Sequence, residues 1–207
     1  MTMPLSSSAS LTPASRLGQI PIRLGYAAAM PQAILDFWFR EIDPAQWWRV
    51  DPAFDDLIRS RFLDVHRQAA AGELFAWRAT AQGRLAEIIV LDQFSRNLFR
   101  GAPAAFAQDG MALVLAQEAV AARVHEALSP VERGFLFLPY MHSESRAVHV
   151  EAERLYREFA LPANHDFELK HKVIIDRFGR YPHRNALLGR TSTAEEIDFL
   201  KQPNSSF

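Results

Sequence analysis

The chain has 207 residues, 49% of them hydrophobic, no cysteine and a formal net charge of -1, with an isoelectric point near 6.7. That balance provides no long-range field to recruit nucleic acid or an anionic membrane. The missing thiols exclude disulfides, thiolate metal sites, iron–sulfur clusters and a cysteine nucleophile. The length and apolar content suffice for one substantial core, so a single domain is expected.

Residues 1–29 are rich in Ser, Ala and Pro, carry Arg16 and Arg23, and have no acid before Asp36. Such a composition buries too little apolar surface to offset ordering entropy. It is shared with organelle transit peptides, whereas a secretory signal needs an apolar stretch that is missing here. The expectation is a disordered leader or a start codon assigned too early, since Met30-Pro31 directly precedes the first patterned segment. No apolar run approaches the roughly 20 residues of a membrane-spanning helix. A soluble, cytoplasmic protein with no membrane partner is therefore expected.

From residue 30 the pattern is helical to about residue 202, with residues 203–207 as a fraying tail. Ile34, Leu35, Trp38 and Phe39 recur at helical spacing in a short first helix. Asp51-Pro52 forms an N-cap with proline at N1, and the apolar face that follows stops at Gly72. Another helix is predicted from about Gly83 to Leu98. Pro103 opens a long alanine-rich helix to about Leu128. Ser129 and Glu132 form a capping box whose helix stops before Pro139. Ser143 starts the next helix, which reaches about Ala160. A helix from about His165 to Phe178 follows, with Gly179 in the left-handed position beyond its end. Thr193 with Glu196, or Ser192 with Glu195, caps a last helix. Nothing reads as a strand, and the short turns favour antiparallel helical hairpins in a layered array.

Three polar constellations interrupt this plan. The first is Asp92-Gln93-Phe94-Ser95-Arg96-Asn97, in which Asp92 and Arg96 can pair across one helical turn. The second is Pro139-Tyr140-Met141-His142-Ser143-Glu144, a proline-marked junction leading into a helix. The third runs from Arg177 to Arg190 and concentrates Arg177, Arg180, Arg184 and Arg190 with His183 among turn-forming residues. Guanidinium groups are always charged and donate in a rigid fork, so such a cluster must meet carboxylates, phosphates or carbonyls.

These three motifs, together with the opening Ile34-Leu35-Asp36-Phe37-Trp38-Phe39, resemble the bacterial family catalogued as domain of unknown function 924. The resemblance spans about Ile34 to Leu200, in order. It implies an all-helical, tetratricopeptide-like arrangement and implies no activity.

Within the motifs Asp92, Glu144 and Asp176 are outnumbered by arginines, which leaves guanidinium charge unmatched. On that arithmetic Arg96, Arg177, Arg180 and Arg184 hold a small anionic ligand or an acidic peptide end, with Asn97 and Asn185 orienting it. His142 and His183 are the candidates for proton transfer, and Glu144 is an orienting carboxylate for His142. A hydrolase or isomerase using a histidine base is the alternative. A third reading makes the polar motifs purely structural, with Arg184 and Arg190 meeting Asp92, Glu144 or Glu87 in an internal network. No close ligand pair such as His-Glu-x-x-His occurs, and neither metal nor cofactor is expected. The basic segment offers only Phe178 and Tyr181 for stacking, so nucleic acid is not an expected partner.

Overall fold

The computed structural model describes residues 24–203 with 205 and 206, and these contain helices and turns with no strand. The helices are α1 (Leu24–Asp36), α2 (Pro52–Ala70), α3 (Ala81–Ile89), α4 (Ser95–Leu98) and α5 (Asp109–Ala121). They continue with α6 (Pro130–Met141), α7 (Arg146–Phe159), α8 (Pro162–Phe178) and α9 (Ala194–Phe199). Most of the expected leader, residues 1–23, lies outside the described residues, and α1 is already formed at Leu24.

Local chemistry starts and stops these helices as the sequence indicates. Asp51 accepts hydrogen bonds from the amides of Ala53 and Phe54, with Pro52 at the first position of α2. Ser129 with Glu132, and Thr193 with Glu196, form reciprocal capping boxes. Gly179 takes φ +70° beyond α8, where a side chain would add left-handed strain.

Three boundaries differ from expectation. α6 runs through Pro139 to Met141. Phe135 to Met141 are all buried, so packing outweighs the lost amide and the ring's conflict with the preceding turn. α7 is capped by Ser145, not Ser143; the Ser143 hydroxyl oxygen instead accepts from the Ser145 amide at 3.2 Å. The alanine-rich stretch divides into a 3-10 turn at Pro103–Phe106, α5, and a 3-10 turn at Val124–Ala127. The break falls at Arg123, which adopts φ 57°. That turn brings His125 and Leu128 into the interior.

The main core is aromatic. Phe37 meets Phe62 at 4.9 Å between ring centres, Phe62 meets Phe94 at 5.2 Å, and Trp38 meets Phe94 and Phe135 at 5.6 and 5.8 Å. Each fully buried large side chain of this kind contributes roughly 1.5–3 kcal/mol relative to exposure. α7 is antiparallel to both neighbours: the Tyr156 hydroxyl reaches the Gly134 carbonyl at 3.0 Å, and Arg146 reaches the Asp176 carbonyl at 3.1 Å. A smaller cluster of Ile174, Ile175 and Tyr181 anchors the segment after α8.

Between α3 and α4 the helix widens into a π turn at Val90–Phe94, all five residues of which are buried. The wider turn re-aims side chains and is found frequently at functional sites. Asp92 sits in it.

Candidate functional site

A cavity of about 320 Å³ opens where three parts of the chain converge. Phe106, Asp109 and Leu113 come from the turn before α5 and its first turns. Pro139, His142, Ser143 and Glu144 come from the α6–α7 junction. Arg184 and Leu188 come from the segment after α8. Asp92 and Arg96 stand behind this lining and organise it.

Asp92 is 1% exposed. It accepts from Gln93 Nε2 at 2.6 Å and from His142 Nδ1 at 2.8 Å, and pairs with Arg96 at 3.1 Å. Burial pulls its carboxyl upward, but the Arg96 charge and the hydrogen bonds from His142 and Gln93 outweigh this and hold it well below the usual carboxylate range. An ionised Asp92 accepts only, so the proton of neutral His142 resides on Nδ1 and the lone pair on Nε2. Burial, assisted by Arg96, lowers the His142 pKa against the opposing pull of Asp92. His142 is therefore a neutral imidazole of fixed tautomer at the cavity wall.

Asp109 opens α5 and is the shared anion of two cations. Arg96 grips it with both terminal nitrogens at 3.0 and 3.1 Å, and Arg184 reaches it with one at 3.2 Å. The Arg184 guanidinium also packs against the rings of Phe106 and Tyr181, at 4.7 and 4.6 Å from their centres. Arg184 is 6% exposed, and its Nε has no partner. Burial, then repulsion from Arg96, lowers its pKa, with Asp109 opposing. The result is a desolvated guanidinium with donors to spare.

Glu144 fastens the C-terminal segment to the junction. Its carboxylate accepts from both terminal nitrogens of Arg190, at 2.5 and 2.9 Å, and from the Tyr181 amide at 2.7 Å. Burial opposes ionisation, yet these bonds keep its pKa below the ordinary value. Glu144 thus positions the Tyr181–Arg190 loop and makes no bond to His142, whose orienting carboxylate is Asp92.

The other residues expected at the site go elsewhere. Arg177 pairs with Glu195 at 2.8 Å, and Arg180 makes a two-pronged pair with Glu196 at 2.6 and 2.8 Å. Asn97 donates to Asp55 at 2.8 Å, alongside Arg100. Asn185 is fully buried, donates to Ser192 at 3.0 Å, and leaves its side-chain oxygen unpartnered. His183 leans on Tyr181 with ring centres 5.5 Å apart, and burial lowers its pKa to about 4. None of the five lines the cavity.

The expected surplus of guanidinium charge is not found. Asp109, Glu195 and Glu196 lie outside the motifs and neutralise arginines the motifs left unmatched. Of the internal pairs anticipated, Arg190 does meet Glu144, whereas Arg184 meets Asp109 and Glu87 meets Arg78. Nothing local singled out Asp109, because it lay within the long helix expected from Pro103, outside all three motifs. Phe106 carried no signal at all. Sequence reasoning also missed the fully buried His149–Glu168 pair at 2.7 Å between α7 and α8. Among the described residues no group of three or more His, Asp or Glu side chains is arranged to hold a metal ion. None of their helices is long and apolar enough to cross a membrane.

A solved protein of unknown function from Agrobacterium tumefaciens, ATU0120, superposes with a TM-score of 0.81 at 38% identity, over 84% of this chain and 98% of that one. No curated protein matches the chain. The model of the family described as bacterial protein of unknown function DUF924 matches residues 34–204. Spanning most of its length, that match assigns the chain to the DUF924 family.

Proposed function

We propose that the cavity binds a small anionic molecule, or the carboxylate end of a peptide, through the Arg184 guanidinium. One observation carries this reading: Arg184 lines the cavity, is buried, and makes a single hydrogen bond, at 3.2 Å to Asp109. A buried cation that keeps donors unused is costly, and an incoming carboxylate or phosphate offsets that cost with a charge-assisted contact. Arg96 supports the anion indirectly, because its grip on Asp109 leaves Arg184 the weaker claim on that carboxylate. The protein is taken to act in the cytoplasm, a setting compatible with a cysteine-free chain.

The test is the melting temperature with and without a panel of carboxylates and phosphates, in the parent protein and in Arg184→Gln. Stabilisation by at least one anion, lost in the variant, is the expected result. An unresponsive parent protein would remove the basis of the reading.

A second reading, proton transfer on the bound molecule, is favoured by the Asp92–His142 contact at 2.8 Å. A carboxylate on Nδ1 fixes the tautomer that presents a basic Nε2 and stabilises the imidazolium formed on proton uptake. Turnover abolished by His142→Gln in a protein that still binds the anion is the outcome this reading requires.

A further inference from the structure

We infer that the occupant of this cavity is a monocarboxylic acid with an apolar tail. The inference rests on the anion-pocket reading and adds a chemical class to it. The lining is divided: Asp109, His142, Ser143, Glu144 and Arg184 supply polar groups, while Phe106, Leu113, Pro139 and Leu188 supply apolar ones. A purely polar anion such as phosphate leaves the apolar wall wet. An acid with a tail covers it.

Charge narrows the choice further. Arg96, Arg184 and Arg190 face Asp92, Asp109 and Glu144 in a closed set of pairs. Asp109 and Glu144 both line the cavity, and Glu144 is held ionised. A second negative charge on the ligand would face those carboxylates, so a monoanion suits the cavity and a dicarboxylate or phosphate dianion does not.

The cavity is open to solvent, so its apolar wall rewards a tail without a sealed end to fix the length. Burying each methylene against that wall strengthens binding by up to roughly fourfold.

The experiment is calorimetric titration of the full-length protein with acetate, butyrate, hexanoate, octanoate and decanoate, and with glutarate and inorganic phosphate. Parent, Arg184→Gln and Leu188→Ser proteins are compared, each checked for its helical spectrum. Affinity is expected to climb from acetate through hexanoate, level off once the apolar wall is covered, and vanish in Arg184→Gln. Leu188→Ser should flatten the climb while leaving acetate unaffected.

Equal affinity along the series, or tighter binding of glutarate or phosphate, overturns the monocarboxylate class while leaving an anion pocket in place. An acetylated dipeptide ending in leucine that outcompetes hexanoate reassigns the occupant to a peptide end and also overturns it. Hexanoate binding undiminished in Arg184→Gln, or no anion binding at all, sinks both readings.

Discussion

Arg184 and Asp109, 75 residues apart in the chain, meet at 3.2 Å on a carboxylate that Arg96 already holds with two bonds. The two arginines are therefore unequal partners. Removing Arg184 leaves Asp109 matched. Removing Arg96 takes the guanidinium from Asp92, leaving it His142 and Gln93, and at the same time weakens the hold on Asp109.

On the anion-pocket reading, this inequality distinguishes Arg184 from Arg96 by their cost to stability. Arg96→Met is expected to cost about 3–5 kcal/mol, the scale of breaking a buried pair. Arg184→Met should cost under about 1.5 kcal/mol, because lost contacts with the rings of Phe106 and Tyr181 are set against release of a desolvated charge. Urea unfolding of both variants measures the contrast. Equal losses would make Arg184 structural.

Asp92→Asn should leave His142 in place but no longer fix its tautomer. The carboxylate both accepts from Nδ1 and opposes the fall in the imidazole's pKa, so the variant should show a lower His142 pKa and a mixture of tautomers by nitrogen NMR. Stability should fall by about 2–4 kcal/mol, since Arg96 loses a buried partner. An unchanged tautomer would show that something other than Asp92 orients the ring.

Stability should decline steeply with mild acid. Burial lowers the pKa of His171 to about 3 and of His183 to about 4, against about 6.5 in the unfolded chain. Below pH 6.5 the unfolded state takes up protons that the folded state refuses, so stability is lost as pH falls toward 4. The slope is up to about 1.4 kcal/mol per pH unit for each histidine. His66, His125 and His142 act in the same direction. Glu168, whose carboxyl is raised by burial, opposes them by taking up a proton in the folded state. Urea midpoints at pH 7.5, 6.0 and 5.0 should fall in that order; a flat profile contradicts the histidine burial.

Glu144→Gln tests the clamp on the C-terminal segment. Three bonds to one ionised carboxylate are weakened or lost, with an expected cost of about 2–3 kcal/mol. Hydrogen exchange should accelerate at the Tyr181, Arg184 and Asn185 amides. Acceleration spread evenly over α7 and α8 would instead indicate general loosening.

The legibility of the fold in the sequence follows the range of each interaction. Caps at Asp51, Ser129 and Thr193 involve bonds within three residues, and each was readable. Pro139 was misread as a stop because its tolerance depends on packing that involves distant helices. The site was legible as three motifs but not as contacts. His142 and Asp92 are 50 residues apart, and motif counting paired His142 with nearby Glu144. Arg177 and Arg180 were assigned to the ligand because their acids, Glu195 and Glu196, lie beyond the motif that drew attention. Asp109 fell inside the long helix expected from Pro103, and only the folded chain sets two guanidinium groups against it.

The order in which these parts occur along the chain matters during synthesis. Asp92, Arg96, Asp109 and His142 leave the ribosome before Arg184 and the loop that Glu144 tethers. On the anion-pocket reading, the wall is complete only once the Tyr181–Arg190 loop has docked on Glu144, so occupancy would report a finished wall and not merely a folded helical bundle.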